Sequence, residues 1–268
     1  MAFTGALTAR RVISFPILLL GASLGAQNFV TFEGAGAEAL FRQSRNAVGG
    51  EAAVMNITSL VMKGTARVSA GDDGPPERAI EMRVLLPDQY VRVETAGNWT
   101  KISGFSGKTL LTEIRTGTAS ERPPAQMMGP LLRAEKARLA RLLLGLGSLA
   151  TPEIWLTIRQ PMGVTETGSA FASGRTTNAA IGRVLEATAK DNFMARAFYD
   201  ATGIPLRVEY EANKRRISTV FGDRRKIGQL NLPHTMTTTL DGMPLEEIRL
   251  SEIVLNAPLT KNDFQIVK

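Results

Sequence analysis

The sequence predicts an α+β protein built on one antiparallel sheet of about ten strands, with two helices packed against it. Two segments place apolar residues at helical spacing, and many short segments alternate apolar and polar residues. Short polar turns separate the alternating segments, which indicates hairpins rather than the long crossovers that parallel strands need. The 268 residues include no cysteine, so disulfides, thiolate metal sites and a cysteine nucleophile are excluded.

The first segment of the chain predicts an export signal. Arg10 and Arg11 precede the apolar run 12–20, and small residues follow that run. A basic start, an apolar centre and a small-residue cleavage site are typical of a secretory signal peptide. We therefore predict a signal peptide over residues 1–26 and a periplasmic location, with a retained N-terminal anchor as the alternative. A single domain is predicted over residues 34–268.

The next part of the chain predicts one helix and then five strands. Residues 37–48 have apolar side chains at helical spacing, and Gly49 and Gly50 supply the stop. The period then changes to two residues, which is typical of strands with one apolar face. The predicted strands cover residues 57–68, 79–86, 90–95, 99–103 and 109–115, with a turn at 104–107.

Residues 131–146 have the longest helical pattern in the chain. Leucines form one stripe, and basic residues occupy the other side: Arg133, Lys136, Arg138 and Arg141. The pattern predicts a helix that packs across the sheet and keeps its basic face in solvent. A helix lying on an anionic membrane surface has the same pattern, so membrane-surface contact stays open as an alternative.

The remaining segments supply seven candidate strands, over residues 155–158, 180–187, 193–199, 205–211, 217–221, 236–240 and 244–254. In one of them Leu206, Val208 and Tyr210 alternate with charged residues, so one strand face is apolar. That face must be buried, yet two helices are few for about ten strands. A curved sheet whose interior is incompletely filled follows, with room for an apolar ligand.

Few patterns in the chain carry catalytic or binding chemistry. There is no glycine-rich nucleotide motif and no G-x-S-x-G sequence, and the single histidine, His234, has no partner motif. We predict no cofactor, no metal and no enzymatic activity, with a His234-dependent hydrolase as the alternative. The net charge of +7 and the aromatic content of 6% do not favour nucleic acid binding.

Three segments resemble the outer-membrane lipoprotein-sorting (LolA-like) superfamily of bacterial exported proteins. In the segment 41–68 a helix ends in Gly-Gly, and a strand of the form S-L-x-x-x-G follows. The segment 198–212 is similar to the family hairpin in which a D-x-x-G-x-P turn precedes an R-V-E-Y strand. The run 230–264 is similar to the closing hairpin of the family, with matches at Asn256, Pro258 and Phe264.

This resemblance implies a half-open antiparallel β-barrel of about ten to eleven strands, with helices that cover a concave apolar face. LolA-like sorting proteins carry lipoprotein acyl chains in that cavity. We therefore expect an exported, non-enzymatic binding protein whose partner is a lipid or a lipoprotein acyl chain, with a ligand-free interaction scaffold as a further alternative. Strand parity predicts these ligand-binding residues: Met82, Val84, Leu206, Val208, Tyr210 and Leu250.

Overall fold

The computed structural model describes residues 30–69, 74–147, 156–159, 183–189, 193–212 and 214–266. The predicted signal peptide lies outside these residues. Within them the chain forms three α-helices and one open sheet, and the α+β class predicted from the sequence is confirmed. The described part of the sheet has fourteen strands, so the predicted number of ten to eleven is too low.

The helices are α1 (Ala35–Val48), α2 (Glu51–Met55) and α3 (Met128–Gly147), with short 3-10 turns at Ala125–Met127 and Lys261–Phe264. The first strands are β1 (Val30–Glu33), β2 (Ser59–Val68), β3 (Glu77–Leu85), β4 (Gln89–Ala96), β5 (Trp99–Ser106), β6 (Thr109–Thr116) and β7 (Ala119–Glu121). The others are β8 (Leu156–Arg159), β9 (Arg183–Ala189), β10 (Phe193–Tyr199), β11 (Pro205–Ala212), β12 (Arg215–Ile227), β13 (Leu230–Leu240) and β14 (Met243–Leu255).

The sheet consists of two antiparallel meanders joined side by side. Strands β2 to β7 follow one another in the sheet, and so do strands β8 to β14. The meanders meet where β14 pairs with β2, with Glu246 opposite Val68. Strand β1 is added at one edge by parallel pairing with β8. Apart from that edge pair, the antiparallel arrangement predicted from the short polar turns is confirmed.

Helix α3 crosses the inner face of the sheet because of this topology. Strand β7 lies at one edge of the sheet, whereas β8 lies next to the opposite edge, so the chain between them must cross from one side to the other. A helix of 20 residues is about 30 Å long, which suits such a crossing. In that position α3 contacts β5 and β6 of one meander and β10 to β13 of the other.

The second half of α3 fills part of the interior. Its leucines Leu139, Leu142, Leu143 and Leu146 are buried against the inner face of the sheet, as the leucine stripe predicts. Gly145 allows the closest approach, because a Cβ atom there would lie 2.0 Å from Cζ of Phe221 on β12. The first turn of the helix is exposed instead, so the two ends of α3 have different surroundings.

Strand β5 differs from its prediction. It runs without a break to Ser106, and the turn comes at residues 107–108 instead of at 104–107. Gly104 lies inside the strand, where a Cβ atom would be 2.1 Å from the carbonyl oxygen of Tyr90. This glycine thus serves a close backbone approach within the sheet and not a chain reversal.

Candidate functional site

A cavity of about 750 Å³ lies between α3 and the inner face of the sheet. We call it the outer cavity. Ala134, Arg138 and Arg141 line it from α3, because positions three and four apart share one helix face. Its other walls come from both meanders and include Val68, Arg92, Glu94, Tyr210, Ile217, Thr238, Leu240, Leu245 and Glu246. Its volume falls within the range of roughly 300–1,000 Å³ that is usual for small-ligand sites.

A second, inner cavity of about 30 Å³ adjoins the outer one. Much of its lining is apolar, from Met82, Leu142, Phe221, Met236 and Ile248. Five residues line both cavities, and we call them the polar collar: Arg92, Arg138, Arg141, Thr238 and Glu246. The collar therefore separates the outer cavity from the packed interior.

Two arginines and two glutamates form a buried ion-pair network at the collar. Arg92 donates two hydrogen bonds to Glu246, and its Nε donates to Glu94 at 2.9 Å. Arg78 donates to the other carboxylate oxygen of Glu94 at 2.7 Å. Burial raises the pKa of the Glu246 carboxyl, but the Arg92 guanidinium outweighs this and lowers the pKa to about 2. Glu246 is thus ionised at neutral pH.

Arg138 connects α3 to the sheet. Its Nη1 donates hydrogen bonds to the two carboxylate oxygens of Glu135 at 2.9 and 3.0 Å, and to Oγ of Ser103 on β5 at 3.2 Å. The Glu135 carboxylate, which is one helical turn away, raises the pKa of Arg138. The positive charge of Arg138 is therefore matched within the protein.

Arg141 has no such match. Within the described part of the chain, no carboxylate lies at ion-pair distance from its guanidinium, which is 5.2 Å from the centre of the Tyr210 ring. Burial lowers the pKa of Arg141, and the neighbouring Arg138 lowers it further.

Tyr90 lines the inner cavity beside Arg141, with a buried hydroxyl that has no hydrogen-bond partner among the described residues. Burial raises the pKa of Tyr90 to about 12, so the phenol remains a donor at neutral pH.

The solvated basic face predicted for α3 is found only in part. Arg133 is exposed, whereas Arg138 and Arg141 are half-buried and line the outer cavity. The sheet extends around α3 beyond the leucine stripe, so the boundary between the leucine and basic faces borders the cavity.

The six predicted ligand-binding residues lie on inward strand faces but in different surroundings. Tyr210 lines the outer cavity and Met82 lines the inner one. Three others are buried in the hydrophobic core: Val84, Val208 and Leu250. Leu206 is half-buried on β11, where its parity matches that of Val208 and Tyr210. A role in ligand binding stays a prediction for all six.

The residues of the collar and of its ion-pair network were not predicted as a site. Arg92 and Glu94 are two apart on β4 and thus share a strand face, and this was the one local signal for them. That face points inward because Val91, on the opposite face, packs against Leu111 and against Phe264 of the C-terminal 3-10 turn. The apolar residues of β4 therefore pack on both sides of the sheet, and apolar parity alone does not identify the cavity side.

His234 lies away from both cavities, inside β13. Its side chain is 3% exposed, and its Nδ1 is 3.1 Å from the carbonyl oxygen of Leu232. No hydroxyl or carboxylate of the described residues is hydrogen-bonded to the ring.

The described residues also contain no group of three or more acidic or histidine side chains arranged to hold a metal ion. In the same part of the chain, no helix combines the length and the apolar character needed to cross a membrane.

Comparison with known proteins identifies the fold. No family model and no curated protein matches the sequence. A LolA superfamily protein from Nitrosomonas europaea has a similar structure, with a TM-score of 0.50 and 12% identity over 86% of this chain and 97% of that one. A DUF1329 family protein from Desulfovibrio piger has a TM-score of 0.51 and 10% identity over 85% of this chain and 97% of that one.

A third structure, of an outer membrane lipoprotein-sorting protein domain from Vibrio parahaemolyticus, has a TM-score of 0.48 and 12% identity over 85% of this chain and 96% of that one. The likeness to the Nitrosomonas protein confirms the LolA-like fold that the sequence motifs predict. At such low identity the likeness concerns the fold alone.

Proposed function

We propose that this chain is an exported, non-enzymatic protein that binds an acyl chain or another apolar ligand in the outer cavity. Lipid or lipoprotein transport in the periplasm is the role that such binding would serve. The observation that carries the proposal is the cavity of about 750 Å³ between α3 and the sheet of a LolA-like fold. An acyl chain in water costs about 0.8 kcal/mol for each exposed CH₂ group, so a carrier needs a cavity and no covalent step.

The apolar residues that line the outer cavity support an apolar ligand. Aliphatic side chains line the outer cavity from four strands: Val68 on β2, Ile217 on β12, Leu240 on β13 and Leu245 near the start of β14. Met243 also lines the cavity, and this residue is 68% exposed. An exposed methionine at a cavity edge suits a binding site, since its flexible thioether adapts to ligands of different shape.

The test uses two adjacent positions on β12. Ile217 lines the outer cavity, whereas Ser218 points to the other face of the strand. We expect the wild-type protein, purified from its own host, to carry lipid in native mass spectrometry. Ile217→Trp should narrow the cavity and reduce the amount of bound lipid, while the matched variant Ser218→Trp should carry as much lipid as the wild type. A clean apo mass for the wild type, together with no binding of added fatty acid, would contradict the proposal and favour an interaction scaffold.

The alternative of a His234-dependent hydrolase receives no support from the placement of that residue. The ring is buried, lines neither cavity and is hydrogen-bonded to a main-chain carbonyl group. A triad histidine must instead reach a nucleophile and face the substrate. Turnover of ester substrates that disappears in His234→Ala would revive this alternative.

Membrane-surface contact forms part of the same proposal. The exposed residues Met127, Met128 and Arg133 lie at the start of α3, where apolar and basic groups are adjacent. This combination suits the headgroup region of an anionic membrane. Sedimentation with anionic and with neutral vesicles tests the contact, and Met128→Glu should weaken binding to the anionic ones.

A further inference from the structure

The polar collar combines matched charges with one unmatched charge. Arg92 is neutralised by Glu94 and Glu246, and Arg138 is neutralised by Glu135. Arg141 lies among them with only the Tyr210 ring and more distant charges to stabilise it. Arg141 is half-buried, and partial removal of a cation from water without a counterion costs free energy that contact with an aromatic ring offsets only in part. The guanidinium of Arg141 is therefore prepared for an anion that the described part of the chain does not supply.

The carboxylates of the outer cavity are already engaged. Among the described residues its lining includes five cationic side chains and two carboxylates, Glu94 and Glu246. Both carboxylates accept hydrogen bonds from arginines, and two of the other cations, Arg138 and Arg215, pair with carboxylates that do not line the cavity. A cationic ligand would therefore find no available carboxylate among these residues, whereas an anion would meet the charge of Arg141 in a partly enclosed space.

We propose that the ligand of the outer cavity is an anionic amphiphile, and that its carboxylate or phosphate group binds Arg141 at the polar collar. This inference rests on the proposed function and specifies the ligand class. The apolar chain of the ligand lies against Ile217, Leu240 and Leu245 on the cavity wall. The hydroxyl of Tyr90, which has no partner among the described residues, offers a second donor beside the collar.

The sizes of the two cavities favour a ligand whose anionic group lies at the collar and whose chain lies in the outer cavity over a ligand in the opposite orientation. The inner cavity holds about 30 Å³, which is enough for one or two oxygen-sized atoms but not for an acyl chain. The outer cavity has the volume and the aliphatic wall that the chain needs. An anionic group at the boundary between the cavities would therefore meet Arg141, while the chain remains in the larger space.

The test compares four probes that share one twelve-carbon chain: dodecanoic acid, dodecyl phosphate, dodecanol and dodecylamine. We expect the wild type at neutral pH to bind the acid and the phosphate about tenfold or more tightly than the alcohol, with the amine weakest. The acid and phosphate arms distinguish a carboxylate from a phosphate head group. Inorganic phosphate alone serves as a competitor and should displace neither, because it lacks the chain.

The variants then locate the effect. Arg141→Gln should bring the affinity for the acid down to that for the alcohol, so that the ratio of the two affinities falls to about one. Arg141→Lys, which keeps the charge, should retain a preference for the acid. Arg133→Gln on the exposed face of α3 removes the same charge outside the cavity and should show the wild-type ratio of acid to alcohol affinity.

The two possible failures are distinguishable. Equal affinity of the wild type for the acid and the alcohol would overturn the inference, as would an unchanged preference in Arg141→Gln, and either result would leave apolar binding intact. Failure of the wild type to bind any of the four probes would instead overturn the proposed function itself. Should Arg141→Gln not fold, Arg141→Met replaces it in the same comparison, and an unchanged preference for the acid in that variant would equally overturn the inference.

Discussion

Arg92 on β4 and Glu246 on β14 form an ion pair although β2 and β3 lie between their strands in the sheet. Three strand spacings correspond to roughly 14 Å along a sheet. The two side chains bridge that separation because the sheet curves and brings its inner faces towards each other. The pair also joins one meander to the other beneath α3, so it supports the cavity as well as lining it.

Removal of one partner of this pair is expected to destabilise the fold. Glu246→Gln keeps the shape of the side chain but leaves Arg92 with one carboxylate fewer in a buried position. The free energy of unfolding should fall by about 3 kcal/mol, as measured by denaturant titration. The control is Glu77→Gln, which breaks an exposed pair with Arg67 and should cost at most about 1 kcal/mol. Equal losses in the two variants would contradict the interpretation.

The same pair predicts a pH dependence. The pKa of Glu246 in the folded protein is about 2, below its ordinary value of 4.5. A carboxyl group with a lowered pKa contributes stability that is complete above the ordinary value and is lost as the pH falls towards the folded value. The stability difference between wild type and Glu246→Gln should therefore shrink as the pH falls from about 4.5 to 2. A difference that stays constant over this interval would show that the charge of Glu246 is not involved.

The close packing of Gly145 against Phe221 predicts different effects for two glycine substitutions in α3. Alanine is favoured over glycine in a helix by about 1 kcal/mol, but Pro130 disfavours helical backbone for a residue with a Cβ at position 129. Gly129→Ala should therefore change the free energy of unfolding little, since the nearest atom to its new Cβ is the end of the Arg133 side chain at 3.9 Å. Gly145→Ala should instead destabilise by about 1–3 kcal/mol, because its Cβ would lie 2.0 Å from the buried ring of Phe221.

A double-mutant cycle checks the cause. Phe221→Leu replaces the rigid ring with a smaller, flexible side chain and should reduce the cost of Gly145→Ala. Thermal unfolding of the single and double variants measures the coupling between the two positions. Additive effects would mean that the alanine at 145 destabilises the helix for some reason other than contact with the ring.

Local sequence patterns predicted most of the elements, because helical and strand periods are properties of short segments. The strand predicted at residues 193–199 is found as Phe193–Tyr199, and the helix predicted at 37–48 is found as Ala35–Val48. The three-residue strand β7 is exposed throughout and has no alternation to detect. Strand β1 depends on pairing with β8, more than a hundred residues away, and no local pattern encodes such a partner.

The candidate site was harder to predict than the fold. The helical period showed that Arg138 and Arg141 are opposite the leucines, but it does not show how far a curved sheet extends around the helix. The partners Arg92 and Glu246 are 154 residues apart in the chain and meet only through the folded sheet. Parity placed Tyr210 and Met82 on inward faces, yet only the packing of α3 determines which inward residues line a cavity.

The last prediction concerns Arg224, which holds the C-terminal end of α3. Its side chain donates hydrogen bonds to three main-chain carbonyl oxygens, those of Gly145 at 3.1 Å, Pro205 at 2.6 Å and Asn231 at 2.9 Å. Burial lowers the pKa of Arg224 to about 10, so it is still charged at neutral pH. Arg224→Met should leave these carbonyl groups without their donor and lower the free energy of unfolding by about 2–3 kcal/mol.

The matched control for this variant is the neighbouring residue. Arg225 pairs with Asp223 on the surface, and Arg225→Met should change the free energy of unfolding by less than about 1 kcal/mol. Hydrogen exchange should also locate the effect, with faster exchange in the last turns of α3 for Arg224→Met alone. Because the exposed first turn of α3 is not anchored in this way, its exchange should stay the same in both variants. Faster exchange along the whole helix would contradict the view that Arg224 anchors only its buried end.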